Sequence, residues 1–328
     1  MKKRTLGNFS LCSLLVVAAP IATLAQTSPT AVASPAPIGK LIDVGGYRVH
    51  LYCTGTGSPT VVIVGAGYSF DWGLVQPEVA KFTQVCSYDH SGTAWSDPGP
   101  KDSCSLRVSE VHTALKNAGI PGPYILVGHS LGGLVARLYA GQYPNEVAGV
   151  VFVDHALAML SRRRRPTDGA TVAPAPPPPS PTAPPGEIRI VHGVEDNPNF
   201  SKLSVRDREL HLWATSQPPN QTALQDSLDM SMDCAEQADA IIQEQNRALR
   251  EKPLVDVTAN TTPSLPPPVA QKWHDKYEEL QIKLLSLSLN SKRLIAENSG
   301  HFILIDRPDV VIDAISQVVQ SVRNSNKL

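Results

Sequence analysis

A serine set among glycines, Gly128-His129-Ser130-Leu131-Gly132-Gly133, lies between an apolar run, Tyr124-Ile125-Leu126-Val127, and a helical pattern, Leu134-Val135-Ala136-Arg137-Leu138-Tyr139. A serine hydroxyl becomes a nucleophile only when a base takes its proton and a tight turn projects it from the scaffold. Glycines at 128 and 132 permit that turn. The helix that follows would start with free backbone N–H groups aimed at the place where an oxyanion forms. A five-residue G-x-S-x-G string recurs by chance, whereas strand, turn and helix in this order make it specific.

The elements that must position this serine alternate along the chain. Short β-branched runs at Tyr47 to Tyr52, Val61 to Val64 and Val85 to Tyr88 are separated by turns such as Gly55-Thr56-Gly57 and read as strands. A helix is expected over Ser105 to Asn117, ended by Gly119-Ile120-Pro121-Gly122-Pro123. The strand at 124, a helix to Tyr143 and the strand Val147 to Val153 follow. After Asp154 the regularity breaks. Residues 166–186, with Pro176-Pro177-Pro178-Pro179, read as an exposed, disordered proline-rich loop. Thr222 to Ala248 is helical in pattern. The sheet resumes at Pro253 to Thr258, passes through a helix near Trp273 to Leu285, returns as Arg293 to Ala296, and ends in a helix from Pro308 to Val322. Strands and helices in alternation, with nearly continuous apolar strands, imply a mostly parallel sheet covered on both faces. The expected organisation is a core of residues 41–160 and 251–328, interrupted by a cap or lid insertion over 161–250.

The 328 residues, 42% of them apolar, suffice for one elaborated domain of this kind. Formal net charge is −1 and the run Arg162 to Arg165 stands alone as a solvated loop, which argues against nucleic acid as a partner. Lys2, Lys3 and Arg4 precede an apolar stretch from Leu11 to Leu24, with Thr23-Leu24-Ala25 at a cleavage position. This pattern reads as a signal peptide over residues 1–25, followed by a flexible lead-in over 26–40, and places the protein outside the cytoplasm, secreted or periplasmic. The apolar stretch is shorter than the roughly 20 residues of a bilayer span and is broken by Pro20, so no stable membrane anchor is expected. Past the leader remain Cys53, Cys86, Cys104 and Cys234, an even number in an oxidising compartment. Either they are free thiols or they form two disulfides. Of the three pairings, Cys53 with Cys86 is favoured because both end strands of the same sheet. With no C-x-x-C pair, nothing supports a structural zinc.

These segments resemble the α/β-hydrolases of the esterase and lipase type that carry a lid after the sixth strand. The resemblance covers nearly everything from Leu41 to Val322, and is carried by Val61 to Trp72, Ser87-Tyr88-Asp89, Gly128 to Gly133, Val151 to Asp154 and Glu297-Asn298-Ser299-Gly300-His301-Phe302. It implies a triad in the order Ser, acid, His. The base is then His301, which follows the last strand, with Gly300 allowing the turn that swings the imidazole toward Ser130. Of the nine histidines, His129 occupies the variable position of the elbow and would position at most; His50, His112, His211 and His274 fall within expected strands or helices. The commonest pattern in the family puts the acid just past the strand Pro253 to Thr258. This chain continues there as Ala259-Asn260-Thr261-Thr262, without a carboxylate. Some relatives take the acid one strand earlier, which points to Asp154 at the end of Val151-Phe152-Val153-Asp154. Its rival is Asp196, in Ile190 to Asp196, which imitates a strand followed by an acid turn. For the oxyanion, whose donors are often worth about 3 kcal/mol each, the first N–H is that of Leu131. The second falls to Gly67 in the loop Gly65-Ala66-Gly67-Tyr68, which lacks the His-Gly pair of many relatives.

The expected reaction is cleavage of a small-molecule carboxylic ester through an acyl-enzyme, with no metal or organic cofactor. Serine at position 130 argues against epoxide hydrolases and haloalkane dehalogenases, relatives that need aspartate there. Acyl transfer to an acceptor other than water uses the same residues and stays open. So does a non-catalytic ligand-binding protein, against which an intact Ser130 and His301 count.

Overall fold

Eight strands pair into a single sheet in the order β1-β2-β4-β3-β5-β6-β7-β8. The computed structural model describes residues 34–65, 67–155, 193–217, 230, 234–238, 240, 249–260 and 267–328. The strands are β1 Lys40–Asp43, β2 Arg48–Thr54, β3 Val61–Val64, β4 Val85–Asp89, β5 Tyr124–His129, β6 Val147–Val153, β7 Leu254–Ala259 and β8 Ser291–Ala296. From β4 to the β8 edge every pair is parallel, while β2 runs antiparallel to both β1 and β4. The helices are α1 Gln76–Val79, α2 Cys104–Asn117, α3 Leu131–Gln142, α4 Val205–Ser216, α5 Pro267–Leu285, α6 Ile303–Asp306 and α7 Pro308–Asn324.

Alternation along each strand divides the core in two. Val62, Val64, Leu126, Val150 and Phe152 pack with Val108, Val111 and Leu115 of α2 and Leu134 and Leu138 of α3. Their sequence neighbours Val61, Ile63, Ile125, Val127, Val151 and Val153 pack on the opposite face with Val311, Ile315, Val318 and Val319 of α7. Burial on both faces is the reason these strands read as unbroken apolar runs. In α7 the apolar residues recur every three or four positions, and Pro308 opens the helix where its missing N–H leaves nothing unmade. Ser103 caps α2, its side chain accepting the Leu106 N–H at 3.1 Å.

Lys40 belongs to β1 rather than to the lead-in, because a four-residue edge strand is too short to show a period and is held by β2 alone. Asp196, the rival acid, lies in a 3-10 turn, Val194–Asp196.

The cysteines form two disulfides, Cys53 with Cys86 and Cys104 with Cys234. The first joins residues directly opposite in the β2–β4 register, as favoured from the sequence. The second ties the start of α2 to the helical residues 234–238 of the 161–250 segment. That segment also contributes α4. Most of the helix expected over 222–248, together with the proline-rich loop and residues 1–33, lies outside the described residues. Among the described residues no helix is long and apolar enough to cross a membrane.

Candidate active site

Because β5 ends at His129 and α3 begins at Leu131, Ser130 makes the turn alone, at φ 54° and ψ −124°. A side-chain-bearing residue in that region costs on the order of 1–3 kcal/mol and persists only where the surroundings hold it. The hold is visible. Ser130 N–H donates to the carbonyl of Val153 at 3.2 Å, and Gly133 N–H donates to the carbonyl of Ser130 at 3.0 Å. A Cβ at Gly132 would drive into the carbonyl oxygen of Val64, so the close approach of β3 to the elbow requires glycine there.

Asp154 follows β6, the strand beside β5, and also sits at positive φ, 41°. Its N–H donates to the carbonyl of Val257 at 2.8 Å, which fixes it against β7. Its Oδ2 accepts from Nδ1 of His301 at 2.6 Å. Its Oδ1 receives two longer bonds, from the Ala259 N–H and the Tyr277 hydroxyl, each at 3.4 Å. With Nδ1–H committed to the carboxylate, a neutral His301 keeps its lone pair on Nε2, the tautomer a general base needs.

His301 stands in the loop between β8 and α6. That loop is organised by Asp306, whose Oδ2 accepts the Gly300 N–H at 2.9 Å while its Oδ1 accepts the side-chain amides of Asn197 and Asn199 at 3.0 and 2.9 Å. His129 adds a second tie. Its Nε2 donates to the carbonyl oxygen of His301 at 2.9 Å, and the two rings lie 4.8 Å apart. Thus Ser130 after β5, Asp154 after β6 and His301 after β8 all leave the carboxyl ends of parallel strands, where open α/β sheets bind ligands. Asp196, the rival acid, is exposed, and the Nδ1 of His301 is bonded to Asp154.

Of the expected oxyanion donors, Leu131 opens α3 and is buried. Gly67 lies in the loop after β3 at φ 124°. The next residue, Tyr68, donates its N–H to Oδ2 of Asp71 at 2.9 Å, and Ser69 donates both N–H and hydroxyl to Asp89 at 2.7 and 2.9 Å. Asp89 is backed by His50, whose Nδ1 lies 2.7 Å from it and whose Nε2 accepts the Gly39 N–H at 2.9 Å.

Sequence reasoning missed three groups near this site. His211 of α4 places Nδ1 at 2.7 Å from Asp71 and Nε2 at 2.8 Å from Glu195. Burial alone would lower its pKa, but the two carboxylates outweigh burial and raise it to about 10. Tyr277 reaches Asp154 from α5. Asp256, in β7 between Phe152 and Arg293, is fully buried, and neither carboxyl oxygen has a partner among the described residues. Burial, assisted by the charges of Asp154 and Glu278 and opposed by Arg293, pushes it up to about 8. Among the described residues no group of three or more His, Cys, Asp or Glu side chains is placed to hold a metal ion.

A family model described as the alpha/beta hydrolase fold matches residues 59–308. The chain belongs to the alpha/beta hydrolase family. The crystal structure of a serine hydrolase involved in carbazole degradation, the CarC enzyme, superposes with a TM-score of 0.55 at 16% identity, covering 87% of this chain and 99% of that one. At that identity the likeness is one of fold. An uncharacterized protein of Schizosaccharomyces pombe is 32% identical over 138 residues, 33% of this chain and 26% of its own length. Lipase LipV of Mycobacterium tuberculosis is 37% identical over 84 residues, 26% of this chain and 31% of its own length. The chain thus spans less than half the length of these curated relatives.

Proposed function

We propose that this alpha/beta hydrolase cleaves carboxylic esters through an acyl-enzyme on Ser130, with His301 as base and Asp154 as acid. The observation that carries the reading is the 2.6 Å bond between His301 Nδ1 and Asp154 Oδ2, with the His301 backbone bonded to His129, the residue that precedes a serine held at positive φ. In the first half-reaction Nε2 of His301 takes the Ser130 proton as Oγ bonds to the ester carbonyl carbon. The tetrahedral oxyanion is met by the N–H of Leu131 and by a second N–H from the loop at Gly67. Collapse breaks the bond to the alkoxide, which leaves with the proton from His301. Water then repeats the sequence: its proton goes to His301, its oxygen attacks the acyl carbon, and Ser130 leaves with the proton. Throughout, Asp154 holds the imidazole in one tautomer and stabilises the imidazolium.

Further support concerns where the chain works. The leader pattern of residues 1–25 and the pairing of all four remaining cysteines in disulfides both suit an exported protein in an oxidising compartment. The 161–250 segment, joined to the core by Cys104–Cys234, would serve as the cap over the carboxyl ends of the strands.

Hydrolysis of p-nitrophenyl esters of increasing acyl length by the wild type, Ser130→Ala, Asp154→Asn and Asp196→Asn tests this reading. Turnover lost in the first two variants and kept in the third supports it. Turnover that survives Ser130→Ala refutes it. Adding alcohol or amine acceptors and following the products separates hydrolysis from acyl transfer.

A further inference from the structure

The loop that follows β3 is held by two carboxylates, and each is backed by a histidine from a different part of the molecule. Asp89 takes the Ser69 N–H and is backed by His50, a neutral imidazole wholly inside the sheet, since its Nε2 accepts the Gly39 N–H. Asp71 takes the Tyr68 N–H on Oδ2 and is backed on Oδ1 by His211, which belongs to α4 within the 161–250 insertion. The two residues are 140 apart in sequence. Gly67 depends on the same carboxylate. Its φ is 124°, and a Cβ there would meet Asp71 Oδ2 at 2.7 Å, so the backbone at 67–68 wraps tightly around this oxygen.

His211 differs from His50 in charge. Both of its ring nitrogens face carboxylate oxygens, Asp71 at 2.7 Å and Glu195 at 2.8 Å, and an ionised carboxylate can only accept. Both nitrogens therefore donate, and the ring is an imidazolium whose side chain is 4% exposed. Around it stand Tyr68 and Phe70 from the loop and Phe200 from the insertion, with ring centroids 5.4 to 6.5 Å away. Charge-assisted bonds in such surroundings are stronger and shorter than neutral ones.

We propose that His211 is a positioning residue: seated on the insertion, it orients through Asp71 the backbone at Gly67 and Tyr68 that faces the developing oxyanion, so that docking of α4 and readiness of the site are one linked equilibrium. The catalytic part of this rests on the reading of Ser130 given above; the mechanical link between α4 and the loop does not. Asp89 and His50 hold Ser69 without help from the insertion, which makes Ser69 an internal reference one residue away.

The test compares the full disulfide-bonded wild type with His211→Gln and His211→Arg by amide hydrogen exchange and by p-nitrophenyl acetate kinetics. In His211→Gln, exchange at the Tyr68 amide is expected to accelerate about tenfold, the size of one lost charge-assisted bond, while residues 124–129 of β5 keep their protection. kcat should fall by about tenfold with KM changed less than about twofold, because the donor acts chiefly in the transition state. His211→Arg, which can bridge two carboxylates, should recover part of both effects. Unchanged exchange at Tyr68, or faster exchange confined to 205–216 with kcat intact, would overturn the link and leave His211 as a mere anchor of α4. Faster exchange at Tyr68 in a protein whose wild type turns over no ester would uphold the link and refute the reading of Ser130 instead.

Discussion

His129 and His301, 172 residues apart, are joined by a hydrogen bond from Nε2 of the first to the carbonyl oxygen of the second at 2.9 Å. The residue beside the proposed nucleophile therefore grips the backbone of the proposed base. His129 is almost fully buried and also meets the edge of Trp72, with centroids 6.3 Å apart. Its carbonyl partner fixes its tautomer, with the proton on Nε2.

Replacing His129 by Phe keeps an aromatic ring and removes the donor. A net loss of about 1 kcal/mol is expected for the hydrogen bond, read as about a fivefold fall in kcat with KM little changed. Steady-state kinetics on a p-nitrophenyl ester checks this, and equal kcat in the variant would mean that the His301 loop holds itself.

Asp154→Asn leaves the shape and removes the charge. The amide can turn its NH2 toward Nδ1 and force the proton onto Nε2, the wrong tautomer for a base; a loss of about 10³–10⁴ in kcat is expected, by analogy with the same change in serine proteases. Asp196→Asn, on an exposed turn, should stay within about twofold. A reversal of these two magnitudes would transfer the acid to Asp196.

His211 gives a pH signature in stability. Its pKa in the folded protein, about 10, lies above its ordinary value of 6.5. The folded state thus binds the proton more tightly, so the stabilisation is complete below pH 6.5 and is lost as pH rises through about 10. The gap in Tm between wild type and His211→Gln should be largest near pH 6 and shrink by several degrees by pH 10. A gap that is constant across this range would show that the ring is neutral in the folded protein.

Asp256 titrates with the same sign but as a buried acid without a partner among the described residues. Its folded value of about 8 exceeds the ordinary carboxylate value of 3.8, so ionisation becomes steadily costlier to the folded state between pH 4 and 8. Asp256→Asn should therefore gain in Tm relative to wild type as pH rises from 4 to 8, with activity retained. Thermal melts at pH 4.5 and 8.5 decide it.

The parts of the fold legible in the sequence are those whose signal is local. β3, β5 and β6 are buried on both faces and so read as apolar runs, and the elbow announces itself because a serine between a strand and a helix needs glycines around it. Asp154 comes into view through the resemblance to the α/β-hydrolases, some of which take the acid from the end of the preceding strand, since the stretch after β7 holds no carboxylate. β1 does not, being four residues beside a proline-rich stretch. His211 was hidden for another reason: Glu209-Leu210-His211-Leu212 is an ordinary helical pattern, and only the approach of Asp71 and Glu195 from elsewhere gives the ring its charge. Asp256 sits in Leu254-Val255-Asp256-Val257, where alternation suggests a solvated face. In the folded chain α5 covers that face, so the carboxyl is buried.

The most direct measurement is the site of covalent capture by a fluorophosphonate, read by peptide mass spectrometry on the intact, oxidised protein. One phosphonyl group on the peptide containing Ser130 is expected, absent in Ser130→Ala and strongly slowed in His301→Ala and Asp154→Asn. A folded wild type that takes up no phosphonyl group, or takes it up equally after loss of His301, would contradict the account.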